Sequence, residues 1–209
     1  CGIAAGAEPV YTAIKDEIKF SGLSDSVIIT QTGCVGICQY EPVVEVYDAD
    51  GTRTTYVKVD VEKARKIAAE HIIKGNIVTE YTIGAANGEG VTSVSDTKFM
   101  KKQVRVALRN CGIINPESID EYIAMDGYQA IYKVLTQMKP DEVIKFISDS
   151  GLRGRGGAGF PTGTKWKFAA ASVSDKKYVC CNADEGDPGA FMDRSVLEGD
   201  PHALLEAMA

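Results

Sequence analysis

Two cysteines separated by three residues could bind one metal ion together. Cys34 and Cys38 form a C-x3-C spacing, and Gly33 and Gly36 keep the backbone beside them open. Thiolates at this spacing can both face one iron, and backbone amides can donate hydrogen bonds to the sulfurs. Cys1 precedes the first predicted helix and could return to the same place. The spacing therefore suggests Cys1, Cys34 and Cys38 as metal ligands, with ordinary buried thiols as the alternative.

A [2Fe–2S] cluster normally has four protein ligands, so three cysteines leave one position unfilled. The sequence does not begin with methionine, and we expect the true N-terminus and the fourth ligand upstream of Cys1; otherwise that ligand is absent. Cys111 ends a predicted helix, and Cys180 and Cys181 lie in a predicted strand. These three are predicted to be small core residues.

A glycine-rich stretch over residues 151–168, GLRGRGGAGFPTGTKWKF, could bind a phosphate or a planar ring. Glycines lack side chains and so allow several backbone amides to converge on one ligand. Gly154, Gly156 and Gly159 match G-x-G-x-x-G, but the Rossmann motif requires a preceding strand, and a helix is predicted there instead. The P-loop motif is also absent. A solvated glycine turn is the alternative.

Basic and aromatic side chains interleave along the same stretch. The basic ones could hold a phosphate, and the aromatic ones could stack on a ring. They are Arg153, Arg155, Lys165, Phe160, Trp166 and Phe168.

An acidic loop, Asn182-Ala-Asp184-Glu185-Gly-Asp187, follows a predicted buried strand over residues 176–184. Ligands of α/β sheets bind in loops at the carboxyl ends of strands. Asn182 and Asp184 could hydrogen-bond to ring amides or hydroxyls, and Glu185 or Asp187 could accept from a ribose or an amide. The calcium-loop pattern is not met, and a solvated acidic turn is the alternative.

The N-terminal elements that would position the cysteines predict a small α+β domain. Apolar spacing indicates a helix over 9–20 and a strand over 27–31 that leads into Gly33. A hairpin is predicted from strands 43–47 and 54–59. A helix over 61–75 would end at Gly75. This order fits a truncated thioredoxin-like domain.

The rest of the chain is predicted to be largely helical before the glycine loop. Residues 83–97 are rich in Gly, Ser and Asn and predict a linker. A basic amphipathic helix is predicted over 99–110, another from Pro116 to about Met138, and a third from Pro140. His71 and His202 lie in no motif and are predicted to be structural or solvent-facing.

Composition narrows the class of protein. The chain has 209 residues, a net charge of -6 and 44% hydrophobic residues, which suits one or two globular domains. The acidic balance disfavours nucleic-acid binding, and no apolar run is long enough for a membrane span. Six cysteines without secretory features predict thiols or metal ligands in a reducing cytoplasm.

Two long strings, GLRGRGGAGFPTGTKW and CNADEGDPGAFMDR, resemble the flavin- and NADH-binding subunit of the respiratory complex I family. The lead-in VRVALRNCGIINPESIDEYI is also similar, so the resemblance runs from about residue 99 to the end. It implies an FMN site made of Gly154, Arg155, Gly156, Gly157, Lys165, Asn182, Asp184 and Glu185. It implies that Phe160, Lys165, Phe168 and Asp187 line the path of NAD(H).

The N-terminal residues resemble the thioredoxin-like [2Fe–2S] ferredoxin domain, which pairs two early cysteines with a later C-x3-C. The implied organisation is a thioredoxin-like domain over 1–82, a linker over 83–97 and the first part of the FMN/NADH-binding domain over 98–209. The implied fold class is mixed, α/β and α+β. A second glutamate-containing flavin segment and a [4Fe–4S] motif are expected beyond residue 209.

Fusion of these domains is typical of subunits of soluble NAD-linked hydrogenases and formate dehydrogenases. The resemblance implies an NADH dehydrogenase (diaphorase) subunit that moves hydride between NAD(H) and FMN and single electrons to Fe–S clusters. An electron-bifurcating [FeFe]-hydrogenase is the favoured setting. The alternatives are a formate dehydrogenase or a non-catalytic relay or assembly module. Implied partners are a catalytic Fe–S subunit of hydrogenase or formate dehydrogenase, a small thioredoxin-like [2Fe–2S] subunit and ferredoxin.

Overall fold

The computed structural model describes residues 2–209. The chain divides into two compact units, residues 1–116 and residues 117–209. Helices dominate both, and the first unit also carries a two-stranded antiparallel sheet, which makes the architecture mixed helix and sheet. The α-helices are Gly2–Ala5 (α1), Ala7–Phe20 (α2), Val61–Ile67 (α3), Ile83–Asn87 (α4), Ile119–Ala124 (α5), Gln129–Gln137 (α6), Pro140–Asp149 (α7), Thr162–Ala171 (α8), Met192–Gly199 (α9) and Pro201–Met208 (α10).

The core of the first unit forms between α2, the hairpin and α3. Helical spacing puts Val10, Ile14 and Ile18 of α2 on one buried face. They pack with Tyr56 at the end of the second strand and with Ile67 of α3. The predicted helix over 9–20 is confirmed, since burial of this apolar stripe stabilises it.

The hairpin consists of Val44–Tyr47 (β1) and Arg53–Tyr56 (β2), with Val44 opposite Tyr56. The connecting turn uses Gly51, whose φ is +85°, and an Asp50 carboxylate that accepts from the Thr52 amide at 2.8 Å. These are the turn residues that the predicted hairpin requires. The hairpin is confirmed, with both strands slightly shorter than predicted.

Helix α3 begins at an Asp60 cap, whose carboxylate accepts from the Lys63 amide at 2.9 Å. It continues into a π-helical turn over Ala68–Ile72, and the chain reverses at Gly75 with a φ of +77°. The predicted helix and its glycine stop are therefore present.

Two N-terminal predictions differ from the structure. Residues 27–31 form no strand; Val27 and Ile29 touch the core while Ile28 is exposed, but no neighbouring strand pairs with them among the described residues. Residues 83–97 are not an open linker. They form α4 and a 3₁₀ turn over Val94–Asp96, and Val94 is buried, with its amide donating to the Thr55 hydroxyl.

The prediction of a helix over 99–110 is wrong. Only one 3₁₀ turn forms there, over Met100–Lys102, and Val104 and Val106 are exposed. The reason is tertiary, because Arg105 turns towards the loop that carries Cys34 and Cys38. This segment belongs to the first compact unit, although the sequence predicts a second domain from residue 98.

In the second unit, the helix predicted from Pro116 begins later and is interrupted. Ser118 caps α5 through the Glu121 amide, and the chain breaks before α6 at Gly127. A Cβ on Gly127 would collide with the Tyr122 ring, so the break allows close packing there. The helix predicted at Pro140 is confirmed, with proline in its first turn.

The prediction of a buried strand over 176–184 is wrong. These residues are exposed and form no strand, and Tyr178 keeps 81% of its surface accessible. A buried strand needs partners on both sides, and none lies beside it in the part of the chain that the structure describes. Cys180 and Cys181 are consequently exposed, whereas Cys111 is buried as predicted. Within residues 2–209, no helix is long and apolar enough to cross a membrane.

Candidate functional site

The cysteine loop connects the core to a short 3₁₀ turn over Cys38–Tyr40. Cys34 is half-buried and Cys38 exposed, with their Sγ atoms 3.5 Å apart. The Gly36 amide donates to Cys34 Sγ at 3.2 Å, and the φ of +90° at Gly36 is one that favours glycine. Two sulfurs bound to one tetrahedral metal at about 2.3 Å lie roughly 3.8 Å apart. The observed separation is close to that value, and neither cysteine is fully buried.

The two thiols are electrostatically linked. Although Cys38 is largely exposed, partial loss of solvent around its sulfur raises the pKa of this thiol, and its hydrogen bond with Cys34 and the charge on Cys34 raise that pKa further. Cys1, the third predicted ligand, lies outside the described residues. Among residues 2–209, no group of three or more His, Cys, Asp or Glu side chains is placed to hold a metal.

Residues 105–112 hold the cysteine loop from the other side. The Arg105 guanidinium donates to the Val35 carbonyl oxygen and lies against Gly36. Gly112, with a φ of +82°, approaches Val35 so closely that a Cβ would collide with its Cγ1 atom. The segment after residue 98 thus helps to shape the predicted metal site, which the sequence did not indicate.

The glycine loop is closed at its base and open at its tip. Arg153 and Pro161 form an antiparallel bridge, in which the Gly154 amide donates to the Phe160 carbonyl at 2.9 Å. The Arg153 guanidinium donates to the Gly159 carbonyl at 3.1 Å. A Cβ built on Gly156 would meet nothing within 4 Å. The backbone tip is therefore accessible to a ligand.

Helices α7 and α8 flank this loop and pack against each other through Gly163. A Cβ on the buried Gly163 would lie 2.6 Å from the Ser148 Cα atom. Pro161 precedes α8 and supplies no side-chain cap. The Thr162 amide donates to the Leu152 carbonyl at 3.0 Å, so only the later amides of the first turn could bind an anion. The preceding element is a helix, as the sequence predicts, which excludes the Rossmann arrangement.

The predicted ligand side chains beside the loop all face solvent. Arg155 lies at the tip, Phe160 at the base, and Lys165 and Phe168 on α8. Lys165 and Phe168 are three positions apart on one helix and share a face. The structure thus places a cation and an aromatic ring next to an open glycine backbone.

Two side chains of the acidic loop accept hydrogen bonds from the protein's own backbone. The Asn182 side-chain oxygen accepts from the Asp184 amide at 2.9 Å and so shapes a local turn. The half-buried Glu185 carboxylate accepts from the Asp193 and Arg194 amides at 2.9 and 3.2 Å, which caps the N-terminus of α9. No hydrogen bond or ion pair joins these residues to the glycine loop among the described residues.

Sequence reasoning missed a polar cluster in the second unit. The Tyr122 hydroxyl donates to Glu206 at 2.5 Å, and the Tyr128 and Ile131 amides donate to the same carboxylate at 2.9 and 3.2 Å. The Tyr128 hydroxyl hydrogen-bonds to His202 at 2.7 Å. His202 is therefore structural, as predicted. The cluster has no local sequence signal, since the part at 122–131 and the part at 202–206 lie more than 70 residues apart.

His71 is also structural. It is almost fully buried, and its Nδ1 atom lies 2.9 Å from the Tyr56 hydroxyl. Its Nε2 atom lies 3.3 Å from the Asp48 carboxylate. Both ring nitrogens are therefore engaged within the protein.

Parts of the chain are similar to known proteins. Residues 147–209 match the Nuo51 FMN-binding domain. The chain is 65% identical over 113 residues to HndC, a subunit of the NADP-reducing hydrogenase of Solidesulfovibrio fructosivorans, and the match covers 54% of this chain and 23% of that protein. It is 49% identical over 104 residues to an NADH-quinone oxidoreductase subunit of Rhizobium meliloti, covering 50% of this chain and 25% of that protein.

A third relative is an NADH-quinone oxidoreductase subunit of Aquifex aeolicus, 55% identical over 91 residues. That match covers 44% of this chain and 21% of the relative. The chain thus spans about a quarter of the length of these proteins. Over the part that these matches cover, the chain is similar to an FMN-binding domain and to subunits of NADH-quinone oxidoreductases and of a hydrogenase.

Proposed function

We propose that this chain is part of an oxidoreductase subunit that moves hydride between a nicotinamide nucleotide and FMN. One observation carries the proposal: a glycine loop, closed at its base and open at its tip, leads into the N-terminus of α8, which has no side-chain cap. This loop lies in the segment that matches the FMN-binding domain. Helix N-termini and exposed glycine amides together bind phosphate groups.

The residues present fit FMN. Gly156 and Gly157 would offer backbone amides, and a Cβ on either would meet nothing, which leaves room for a ligand. Gly154 would act by closing the base of the loop, because its amide donates to the Phe160 carbonyl. The exposed Arg155 and Lys165 would pair with the phosphate. Bound FMN would accept two electrons as a hydride and release them singly. The protein's own task is to bind and orient the ring.

The acidic loop would complete the flavin site in two ways. Asn182 and Asp184 would hydrogen-bond to the ring or the ribityl hydroxyls. Glu185 would act by positioning, because both of its carboxylate oxygens cap α9. Phe160, Lys165, Phe168 and Asp187 would line the nicotinamide nucleotide's path, with Phe168 available for stacking on α8.

We also propose that residues 1–82 form a thioredoxin-like [2Fe–2S] domain and that residues 98–209 begin the FMN domain. The order of α2, hairpin and α3 supports the first assignment, although the strand predicted over 27–31 is not formed. Cys34 and Cys38 supply two ligands with the right sulfur separation and an amide donor. Cys1 would supply the third, and a [4Fe–4S] cluster would be held beyond residue 209.

The favoured setting is a hydrogenase complex. The relative at 65% identity is named as a subunit of an NADP-reducing hydrogenase, which supports hydrogenase over formate dehydrogenase as the partner enzyme. A catalytic Fe–S subunit, a small [2Fe–2S] subunit and ferredoxin would be its partners, electron bifurcation its mode and the cytoplasm its location. That relative's name also makes NADPH, besides NADH, a nucleotide to test.

The experiment is anaerobic purification of the full-length subunit that contains this chain, followed by two measurements. Released FMN is quantified, and viologen reduction is followed with NADH and with NADPH. Stoichiometric FMN with fast reduction is expected. Absence of both flavin and reduction in folded protein would overturn the proposal in favour of a relay or assembly module.

Matched variants locate the flavin site. Arg155→Gln and Lys165→Gln should lower FMN content at least tenfold, because each removes a cation from the phosphate. Lys176→Gln removes an equally exposed cation outside the loop and should retain FMN. Nucleotide binding without flavin would instead indicate a regulatory module.

A further inference from the structure

The first unit contains a cavity of about 400 Å³ that the proposed function does not use. It lies beside the cysteine loop and shares Val35 with it. Four cationic side chains line it: Arg53, Lys101, Arg105 and Arg109. No aspartate or glutamate is among its lining residues. In a chain with a net charge of -6, this concentration of positive charge is unusual.

Two of the four cations are occupied within the protein. Arg53 forms a bidentate pair with Glu45, and Arg105 donates to the Val35 carbonyl. Lys101 and Arg109 are exposed and have no carboxylate within salt-bridge distance among the described residues. Residues 98–116 contain five basic residues and no acidic ones, so the sequence supplies no local counter-charge. The cavity therefore has a net positive field.

Apolar side chains form part of the wall between these cations, beside the polar Ser95 and Gln103. Val94 is buried, and Met100 and Ile113 complete that part of the lining. Ligand sites of small molecules combine such apolar walls with a few placed polar groups, at volumes of roughly 300–1,000 Å³. The cavity thus suits a small molecule that has an anionic head and an apolar body.

We propose that this cavity binds a small phosphate monoester. A phosphate monoester carries about two negative charges at neutral pH, which suits a lining where Arg105, Lys101 and Arg109 have no carboxylate partner among the described residues. Of these three, the side chains of Lys101 and Arg109 make no hydrogen bond within the described residues and would contact the phosphate. The planar guanidinium of Arg109 suits bidentate pairing with phosphate oxygens. A monocarboxylate would leave two of these three cations uncompensated. The apolar body of the ligand would contact Val94, Met100 and Ile113.

The test is calorimetric titration of the full-length subunit with phenyl phosphate, a monoester with an apolar body. Inorganic phosphate and benzyl alcohol serve as the head and the body alone. Phenyl phosphate should bind at least tenfold more tightly than either, because only it satisfies both parts of the lining. Equal binding of inorganic phosphate would overturn the predicted contribution of the apolar wall and with it the ligand class.

Variants distinguish this site from the proposed flavin site. Lys101→Gln with Arg109→Gln should weaken phenyl phosphate at least tenfold and leave FMN content unchanged, and both side chains are exposed, so folding is preserved. Arg155→Gln with Lys165→Gln should lower the FMN content and leave the affinity for phenyl phosphate unchanged. Lys63→Gln with Lys66→Gln, two cations on α3, controls for general charge. Should one cavity substitution unfold the protein, the other single variant is titrated instead.

Three results would overturn the proposal. The first is phenyl phosphate binding that stays within twofold of wild type in the cavity variants. The second is an equal loss in the α3 control. The third is binding of poly-L-glutamate without binding of phenyl phosphate. That result would identify the cavity as a docking surface for an acidic protein. All three results concern binding at the cavity, so they can be measured even if the protein does not bind FMN.

Discussion

The Arg105 guanidinium donates a hydrogen bond to the Val35 carbonyl oxygen, which lies 70 positions earlier in the chain. Val35 is flanked by Cys34, and Gly36 lies against the same guanidinium. A side chain from outside the predicted cluster domain therefore holds the loop between the two cysteines. We infer that Arg105 is a positioning residue for that loop.

Arg105→Met should loosen the cysteine loop. A hydrogen bond from a charged donor to a partly buried carbonyl contributes about 1–3 kcal/mol, and the free energy of unfolding should fall by about that amount. In metal-free protein, Cys34 and Cys38 should also react faster with iodoacetamide, measured by mass spectrometry. Arg109→Met is the matched control, because Arg109 lines the cavity without contacting Val35. Unchanged alkylation rates in Arg105→Met would refute the positioning role.

Gly163→Ala should destabilise the second unit. The added Cβ would lie 2.6 Å from the Ser148 Cα atom, so α7 and α8 would have to separate. Overpacking of this kind costs about 1–3 kcal/mol, measurable by denaturant unfolding. A stability equal to wild type would show that the helices can move apart without cost.

Gly156→Ala should separate ligand binding from stability. A Cβ there meets nothing within 4 Å, and Gly156 is not among the glycines with positive φ, so the free energy of unfolding should stay within about 1 kcal/mol of wild type. FMN content should fall, because the methyl group would occupy the space of the ligand. Retention of full FMN would place the flavin away from this backbone.

Phe168→Ala should raise the KM for the nicotinamide nucleotide by roughly 5- to 100-fold, the range expected for loss of one base–aromatic stack. FMN content should not change. Trp166→Ala is the control, because on α8 Trp166 points about 160° away from Phe168. Similar KM values in the two variants would argue against stacking at Phe168. The measurement is steady-state viologen reduction.

Glu206 should make the second unit sensitive to acid. Burial acts to raise its pKa, but the hydrogen bonds from the Tyr122 hydroxyl and from the Tyr128, Ile131 and Ala130 amides outweigh burial, so the pKa lies below 4.5. Because the folded-state pKa is lowered, the stabilisation is complete above pH 4.5 and is lost as the pH falls through the folded value.

Thermal melts between about pH 7 and about pH 3 test this pH dependence. Wild type should lose stability below pH 4.5, and Glu206→Gln should start less stable and lose less over the same range. Glu198→Gln is the control, since Glu198 lies on the surface and pairs only with Arg194 across one turn of α9. An identical acid response in wild type and Glu206→Gln would contradict the prediction.

Local signals in the sequence were sufficient for several elements. The apolar spacing of Val10, Ile14 and Ile18 predicted α2, and the turn residues around Gly51 predicted the hairpin. Pro140 marked the start of α7. Each of these signals depends on residues within a few positions of one another, where backbone preference and short-range hydrogen bonds decide the conformation.

Other features depended on contacts between distant residues. Residues 99–110 have the amphipathic spacing of a helix, yet Arg105 is turned towards Val35 and the helix does not form. Residues 176–184 have the composition of a buried strand, but within residues 2–209 no strand pairs with them and they are exposed. Propensity is overridden where tertiary packing contributes more than local preference.

The sequence by itself determined the chemistry available to this protein: the C-x3-C pair, the glycine loop with its cations, and the acidic loop. Only the tertiary structure decided how those groups are used, because hydrogen-bond partners are chosen in three dimensions. It placed the Glu185 carboxylate on the amides of α9 and the Arg105 guanidinium on the cysteine loop. It also gathered Lys101 and Arg109 around a cavity with partly apolar walls, where the Val94 amide of the same segment donates to the Thr55 hydroxyl of the hairpin.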